Sequence, residues 1–211
     1  MIVIIDYGVG NLGNIHRAIK FLDIQVKLSK KIDDIKSAAG IILPGVGAFG
    51  EGMKNLEERN LVGPIKEAVL KDRKPFLGIC LGLQLLFSES EEDPDSEGLN
   101  LIRGKVKKFA PQKVTKIPHM GWNYINLLKD DILLKGINMP DYFYFVHSYY
   151  TEPFEDVGLG KTVYDNMKFT SFIRKDNIWG IQAHPEKSSV TGLHFLKNFS
   201  EVVNNASNSS S

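Results

Sequence analysis

Residues 78–84 have the sequence Gly78-Ile79-Cys80-Leu81-Gly82-Leu83-Gln84 and contain the only cysteine of the chain. Apolar residues 75–79 predict a short buried strand before the cysteine, and apolar residues 81–87 predict a helix after it. A nucleophile between a strand and a helix, flanked by glycines two residues away on each side, is typical of a nucleophile elbow. The free N–H groups at a helix N-terminus would favour a thiolate there. The alternative is a small buried hydrophobic residue, the usual role of an isolated cysteine.

Composition excludes several classes of protein. The 211 residues are 43% hydrophobic and 24% charged, as in ordinary globular proteins. The net charge of +1 comes with no basic stripe, so we expect no binding to nucleic acid. A single cysteine leaves no internal disulfide and is typical of a reducing compartment. No apolar run suits a signal peptide or a membrane span, so we expect a cytoplasmic protein that does not bind a membrane.

The first half of the chain alternates strands with helices. Strands are predicted over residues 2–5, 25–28 and 40–43, and helices over 12–22, 32–38 and up to about residue 71. This alternation predicts an α/β fold: an open, mostly parallel sheet flanked by helices, with a flavodoxin-like core. Ligands of such sheets bind at the carboxyl ends of the strands, where the loops after Ile5, Leu43 and Ile79 lie.

The second half has consecutive strands, which predict an antiparallel extension of the sheet. These strands are predicted over residues 106–109, 142–150, 161–164, 169–174 and 178–182. We expect residues 88–97 to be a solvated loop and residues 116–123 to be irregular. A closing helix is predicted over residues 190–203. We therefore expect a single domain over residues 1–200 and a disordered polar tail over residues 201–211.

Residues 8–13, Gly8-Val9-Gly10-Asn11-Leu12-Gly13, match the G-x-G-x-x-G pattern of dinucleotide-binding sites. Two features argue against that function. Asp6 and Tyr7 separate the strand from the first glycine, and no acidic residue ends the second predicted strand. The alternative is a tight turn that exposes Asn11 at the functional edge of the sheet.

His184-Pro185-Glu186 follows the last predicted strand and suits a general base with its orienting acid. Residues two apart in an extended chain point to the same side, so Glu186 can hold one ring nitrogen of His184. Of the five histidines, only His184 has an acid at this offset. The alternative is a surface turn, but together with Cys80 the pair completes a nucleophile, base and orienter.

Gly45-Val46-Gly47 ends the third predicted strand at the same edge as Cys80. Backbone N–H groups of a glycine-rich loop can converge on an anion, and the N–H of Val46 could form an oxyanion hole with the N–H of Leu81. The alternative is an ordinary turn. One cysteine and scattered histidines offer no metal-ligand spacing, so we expect no metal and no cofactor.

The cysteine and histidine motifs together resemble the class I, or triad, glutamine amidotransferases. Further stretches narrow the resemblance to the glutaminase subunits of imidazole glycerol phosphate synthases. These are Ile5-Asp6-Tyr7-Gly8-x-Gly10-Asn11, Leu43-Pro44-Gly45-Val46-Gly47-Ala48-Phe49, Pro118-His119-Met120-Gly121-Trp122-Asn123 and Phe145-Val146-His147-Ser148-Tyr149. The resemblance covers residues 2–199, and no catalytic position departs from the family pattern.

The resemblance implies hydrolysis of L-glutamine to glutamate and ammonia through a Cys80 thioester. His184 and Glu186 would be the base and its orienter, with Val46 and Leu81 as oxyanion donors. It further implies that a group of substrate-binding residues holds the glutamine: Gly47, Gln84, Glu92, Ser148 and Tyr149. An acid suits the α-ammonium group of glutamine, and the sequence leaves open whether Glu91 or Glu92 supplies it.

Because ammonia is easily protonated and lost in water, the resemblance also implies a partner docked over the site. In the family this partner is a (β/α)8 cyclase subunit, which forms a heterodimer with the glutaminase in histidine biosynthesis. Candidates for the docking face are Asn11, His119, Met120 and Trp122. Trp122 would anchor the interface, or alternatively cap the core.

Other functions stay open at this stage. The chain could be a related amidotransferase subunit of a sugar or nucleotide pathway, or a non-catalytic regulatory module of the same fold. A cysteine peptidase is disfavoured, because nothing in the sequence marks a peptide groove. The flexible glycine loop raises the hypothesis that the oxyanion hole is assembled only when the partner is loaded.

Overall fold

An eleven-stranded sheet dominates the structure, a computed structural model that describes residues 1–208. Its strands, together with a separate pair formed by β7 and β9, are β1 (Ile2–Ile5), β2 (Val26–Ser29), β3 (Gly40–Gly45), β4 (Phe76–Cys80), β5 (Glu89–Ser90), β6 (Gly104–Lys108), β7 (His119–Tyr124), β8 (Asn126–Leu127), β9 (Tyr142–His147), β10 (Tyr149–Pro153), β11 (Gly158–Tyr164), β12 (Met167–Lys175) and β13 (Ile178–Ile181). The helices are α1 (Leu12–Phe21), α2 (Ile32–Ser37), α3 (Phe49–Glu58), α4 (Val62–Lys66), α5 (Leu81–Gln84) and α6 (Ser189–Asn208).

The sheet has a parallel half and an antiparallel half. Strands β2, β1, β3, β4 and β13 are adjacent in that order and parallel. Beyond β13, strands β12, β10 and β6 continue the sheet in antiparallel pairs, while β11 pairs with β12. The predicted α/β fold, a mostly parallel sheet with an antiparallel extension, is confirmed.

The continuous apolar strands are buried because helices cover both faces of the parallel half. Val3 and Ile5 pack into one hydrophobic cluster with residues of α2, α3 and α4. Ile2 and Ile4 pack into the other cluster with residues of α1 and α6. Alternate residues of one strand thus contact opposite layers, as the two-residue period of a strand requires.

The strand register sets the position of the functional loops. Gly45, the last residue of β3, pairs with Cys80, the last residue of β4. On the other side of β4, Ile79 pairs with Ile181, the last residue of β13. Val46, Leu81 and the segment from Gln182 to His184 therefore leave the sheet at the same carboxyl edge.

Three local predictions are wrong. Residues 119–124 form strand β7 rather than an irregular segment, because they pair antiparallel with β9. Residues 142–150 form two strands rather than one. The strand is interrupted at Ser148, and β9 and β10 lie in different sheets. Within the predicted solvated loop 88–97, Glu89–Ser90 forms the short strand β5, because it pairs with β6.

The C-terminal helix is also longer than predicted. Helix α6 extends to Asn208, so residues 201–208 are helical rather than disordered. Val203 is buried and anchors this last part of the helix, and the Ser207 hydroxyl donates to the Val203 carbonyl at 3.0 Å. The remainder of the predicted tail, residues 209–211, lies outside the described residues. No helix within residues 1–208 combines the length and apolar character that crossing a membrane requires.

Candidate active site

Cys80 occupies a strained turn between β4 and α5. Its backbone has φ 53° and ψ −107°, a conformation that L-residues rarely adopt. The flanking residues Gly78 and Gly82 must be glycines, because neither position has room for a Cβ atom. A Cβ on Gly78 would lie 2.7 Å from the Gly82 carbonyl oxygen, and a Cβ on Gly82 would overlap the carbonyl oxygen of Leu43. The geometry is therefore that of a nucleophile elbow, although α5 is a single turn of four residues, shorter than the predicted helix.

Cys80 lines a cavity of about 280 Å³ at the carboxyl edge of the sheet. Every residue predicted to bind glutamine or to form the oxyanion hole lines this cavity. They are Val46, Gly47, Leu81, Gln84, Glu92, Ser148 and Tyr149. Pro118, Val146 and His147 complete its wall. The structure thus brings together in one cavity residues that are more than a hundred positions apart in the chain.

His184 and Glu186 form a buried pair beside Cys80. Nδ1 of His184 lies 2.8 Å from Oε1 of Glu186, and the two side chains are 2% and 7% exposed. Burial disfavours the imidazolium, but the negative charges of Cys80 and Glu186 outweigh it and raise the pKa of His184 to about 10. Nε2 of His184 is also buried and has no hydrogen-bond partner among the described residues.

A hydrogen bond from Tyr7 fixes the end of β3, where the glycine-rich loop begins. The buried Tyr7 hydroxyl donates to the carbonyl of Pro44 at 2.8 Å, and burial strongly raises the pKa of this hydroxyl. Gly47 has φ +116°, a conformation that favours glycine, so the chain can turn sharply just after Val46. The G-x-G-x-x-G segment packs against the same loop, since a Cβ on Gly10 would lie 3.3 Å from Cα of Gly45.

Glu92, rather than Glu91, lies in the cavity. Oε2 of Glu92 accepts a hydrogen bond from the N–H of Phe49 at 2.8 Å, which fixes the carboxylate at the cavity wall. Glu91 instead accepts from the N–H of Lys108 at 3.0 Å and does not line the cavity. The geometry therefore favours Glu92 as the partner of a substrate ammonium group.

Gln182 is a site residue that sequence reasoning missed. Its side chain is fully buried, and its Nε2 donates to the sulfur of Cys80 at 3.6 Å. Its Oε1 accepts from Nε2 of Gln84 at 3.2 Å. No local pattern in the sequence marks it, because its contact with Cys80 depends on β13 lying next to β4.

The predicted docking residues divide into two groups. Met120 and Trp122 are 59% and 52% exposed on one face of β7, so Trp122 does not cap the core. His119 points the other way and is 3% exposed, so the prediction that its side chain lies on a docking face is wrong. The reason is the strand itself, whose successive side chains alternate between the two faces. Asn11 lines a small cleft together with His184 and Glu186.

The arrangement suits acyl transfer through a thioester. It combines a thiol at a strained elbow, an imidazole that a buried carboxylate orients, and a glycine-rich loop beside the nucleophile. The large cavity has room for a small amino acid substrate. No group of three or more metal-binding side chains occurs within residues 1–208.

Comparisons with known proteins agree on one family. The family model "Glutamine amidotransferase class-I" matches residues 3–202. The chain is 48% identical over 206 residues to "Imidazole glycerol phosphate synthase subunit HisH" of Methanocaldococcus jannaschii, covering 96% of this chain and 100% of that protein. It is 46% identical over 207 residues to the protein of the same name from Moorella thermoacetica, covering 98% and 97%.

Solved structures show the same fold at low sequence identity. One is a putative GMP synthase protein from Thermoplasma acidophilum, with a TM-score of 0.74 and 16% identity over 98% of this chain and 95% of that one. Another, a glutamine amidotransferase, has a TM-score of 0.75 and 16% identity over 96% and 98%. At this level of identity the likeness concerns the fold alone.

Proposed function

The chain belongs to the class-I glutamine amidotransferase family and is the glutaminase subunit of an imidazole glycerol phosphate synthase, and we propose that Cys80 is its nucleophile. One observation carries this proposal. Cys80, at a strained elbow, lines the same cavity as Gln84, Glu92 and Tyr149, while the buried His184–Glu186 pair lies beside it.

In the proposed reaction the Cys80 thiolate attacks the side-chain carboxamide carbon of glutamine. The backbone N–H groups of Val46 and Leu81 stabilise the resulting oxyanion. His184, held by Glu186, donates its proton to the leaving nitrogen, and ammonia departs. A glutamyl thioester remains on Cys80. His184 then takes a proton from water, the resulting hydroxide attacks the thioester, and glutamate is released as the thiolate re-forms.

The amino acid end of glutamine binds at the wall formed by Gly47, Glu92, Ser148 and Tyr149 in this proposal. The carboxylate of Glu92 pairs with the α-ammonium group, since it is fixed by Phe49 and faces the cavity. Both N–H groups of Gln84 already bind protein acceptors, Tyr149 and Gln182. Its Oε1 is therefore the atom that contacts the substrate, by accepting a hydrogen bond.

The relatives are named as subunits of a synthase, so the chain is one component of a complex. We infer a heterodimer with a (β/α)8 cyclase subunit that consumes the ammonia. The exposed face of β7, with Met120 and Trp122, supplies apolar anchors. Asn11 lines the same small cleft as His184 and Glu186. We infer that ammonia leaves toward the partner near this residue.

A glutaminase assay with two variants tests the proposal. We expect glutamate release when the chain is combined with its cyclase partner and the ligand of that cyclase, and we expect Cys80→Ser to abolish it while leaving the fold and the complex intact. The matched control is Ser96→Ala, a hydroxyl on the 88–97 loop that lies outside the cavity lining. Normal glutaminase activity in Cys80→Ser would overturn the assignment of the nucleophile. Glutamine hydrolysis that proceeds equally fast without any partner would overturn the hypothesis of a partner-assembled oxyanion hole.

A further inference from the structure

Two histidines are buried side by side at the glutamine cavity, and one of them, His147, forms part of its wall. His119 on β7 and His147 on β9 are paired in register, and Nδ1 of His119 lies 3.0 Å from Nε2 of His147. They are 3% and 6% exposed. The ring of His119 stacks between those of Phe145 and Tyr164, at centroid distances of 4.9 and 4.2 Å. The mechanism proposed above uses neither histidine, so this buried polar pair requires a different explanation.

The direction of every hydrogen bond around this pair follows from backbone carbonyls. Nδ1 of His147 lies 2.7 Å from the carbonyl oxygen of Tyr149, which can only accept, so Nδ1 carries the proton. Nε2 of a neutral His147 then accepts the proton of Nδ1 of His119. Nε2 of His119 in turn accepts from Nδ2 of Asn123 at 3.2 Å. Burial lowers the pKa of both imidazoles, of His119 to about 4 and of His147 to about 3, in agreement with two neutral rings.

The Tyr149 carbonyl connects this pair to the nucleophile. It also accepts a hydrogen bond from Nε2 of Gln84 at 3.1 Å. The second N–H of Gln84 is directed to Oε1 of Gln182 at 3.2 Å, which turns Nε2 of Gln182 toward the sulfur of Cys80 at 3.6 Å. The amide of Gln182 would present its oxygen to the sulfur if Gln84 were turned the other way. The carbonyl of Tyr149, which binds Nδ1 of His147, therefore determines that Gln182 points an N–H group toward Cys80.

We propose that His147 and Gln182 are positioning residues for the nucleophile, joined with His119 and Gln84 in one buried hydrogen-bond network that aims an N–H donor at the Cys80 sulfur. This inference rests on the proposed role of Cys80. A donor to sulfur stabilises the thiolate relative to the thiol. The same network fixes the carbonyl of Tyr149, and so the wall of the glutamine cavity.

The network begins on the strand that carries the proposed docking face. Asn123 follows the exposed Trp122 directly, and its amide also donates to the carbonyl of Val163 at 2.9 Å. A continuous chain of hydrogen bonds thus runs from Asn123 to the sulfur of Cys80. It passes through His119, His147, the Tyr149 carbonyl, Gln84 and Gln182. A partner that shifts β7 would act on Cys80 through this path, in addition to any effect on the loop at Val46.

Alkylation of Cys80 by iodoacetamide tests the network without glutamine and without a partner. The thiolate displaces iodide, and the rate is measured against pH in the full chain. For Gln182→Met, which keeps the size but removes the donor, we expect a rate about tenfold lower near neutral pH. For His147→Phe we expect about a threefold decrease, because the change acts through Gln84. In both variants the pH of half-maximal rate should rise. His147→Asn keeps a donor near Nδ1 and should recover most of the rate.

The control is His194→Phe, a histidine-to-phenylalanine change on α6, outside the network. Unchanged alkylation in folded Gln182→Met and His147→Phe would overturn the proposal. So would a slow His147→Asn variant, since packing rather than hydrogen bonding would then be responsible. If His147→Phe does not fold, Gln182→Met and His119→Asn decide in its place. If the variants are alkylated at the expected lower rates but the unsubstituted protein releases no glutamate with its partner, the proposed function alone is wrong.

Discussion

The carbonyl oxygen of Leu43, on β3, lies so close to Gly82, on the turn after Cys80, that no side chain fits between them. The oxyanion loop leaves β3 two residues beyond Leu43, and the nucleophile precedes Gly82 by two residues. The contact between Leu43 and Gly82 therefore brings the two halves of the proposed site together. Backbone approaches backbone here, and only glycine permits that distance.

We expect Gly82→Ala to destabilise the protein by about 3 kcal/mol or more, because the added methyl group meets a backbone carbonyl that cannot move aside. Gly63→Ala is the matched control. Nothing lies within 4 Å of a Cβ at Gly63, which is exposed on α4. That change should alter the stability by less than about 0.5 kcal/mol, because the helix preference of alanine is opposed by the restriction that Pro64 places on the residue before it. Urea unfolding monitored by circular dichroism measures both, and equal stabilities for the two variants would contradict the argument.

Glu92→Gln should raise the KM for glutamine by about 10- to 100-fold with a smaller effect on kcat, since it removes one charged partner of the substrate ammonium group. The amide oxygen of glutamine at this position can still accept from the N–H of Phe49, so the loop keeps its structure. Glu91→Gln is the control, because Glu91 binds Lys108 outside the cavity. Steady-state glutamate release by the reconstituted complex gives both constants. A larger KM change for Glu91→Gln would reverse the assignment.

Local sequence patterns predicted the parts of the site that depend on short spacing. The elbow at Cys80 follows from an apolar strand and two glycines, each two residues away. The 2.8 Å contact of His184 with Glu186 also joins residues two apart, although the chain is not extended there: Pro185–Lys187 form a 3₁₀ turn that begins just after His184. The elbow and the His184–Glu186 contact each involve residues close together in the chain. They can therefore be predicted from this sequence without knowing how the strands pair.

Relationships between distant strands could not be predicted in this way. Gln182 and Cys80 are 102 residues apart, and their contact depends on β13 lying next to β4. The inward position of His119 depends on the pairing of β7 with β9, 28 residues later. Pro118 and Gly121 interrupt the pattern there, so the sequence predicts an irregular segment over residues 116–123. Without the register, the exposed Met120 and the buried His119 cannot be told apart.

Trp122→Ala should weaken the complex with the cyclase subunit by about 30-fold or more, which corresponds to about 2 kcal/mol for an aromatic anchor. Trp122 is half exposed and meets the ring of Tyr144 edge-on, at 5.9 Å between ring centroids, so we expect its removal to cost little in the isolated chain. Phe154→Ala is the control, a similarly exposed aromatic residue between β10 and β11. Isothermal titration with the cyclase subunit measures both affinities. Equal affinities for the two variants would move the docking face away from β7.

Glu186→Gln tests the electrostatic part of the proposed mechanism. The carboxylate helps to raise the pKa of His184, so the neutral amide should lower that pKa and reduce kcat at neutral pH by about 10²-fold or more. Glu57→Gln, an exposed change on α3, should leave kcat unaltered. Glutaminase rates of the complex between about pH 6 and pH 10 check this, and an unchanged pH profile in Glu186→Gln would contradict it.

Stability should respond to the same substitution with a defined sign. A histidine whose pKa is raised from 6.5 to about 10 by folding contributes stability that is fully present below pH 6.5 and is lost as the pH rises toward 10. Because Glu186 supplies part of that shift, the free energy of unfolding of Glu186→Gln should fall furthest below that of the unsubstituted protein near pH 6.5. The difference should shrink as His184 loses its proton. Urea unfolding at the two ends of this range measures it, and a difference that grows with pH would show that His184 is not the group that Glu186 holds in its charged form.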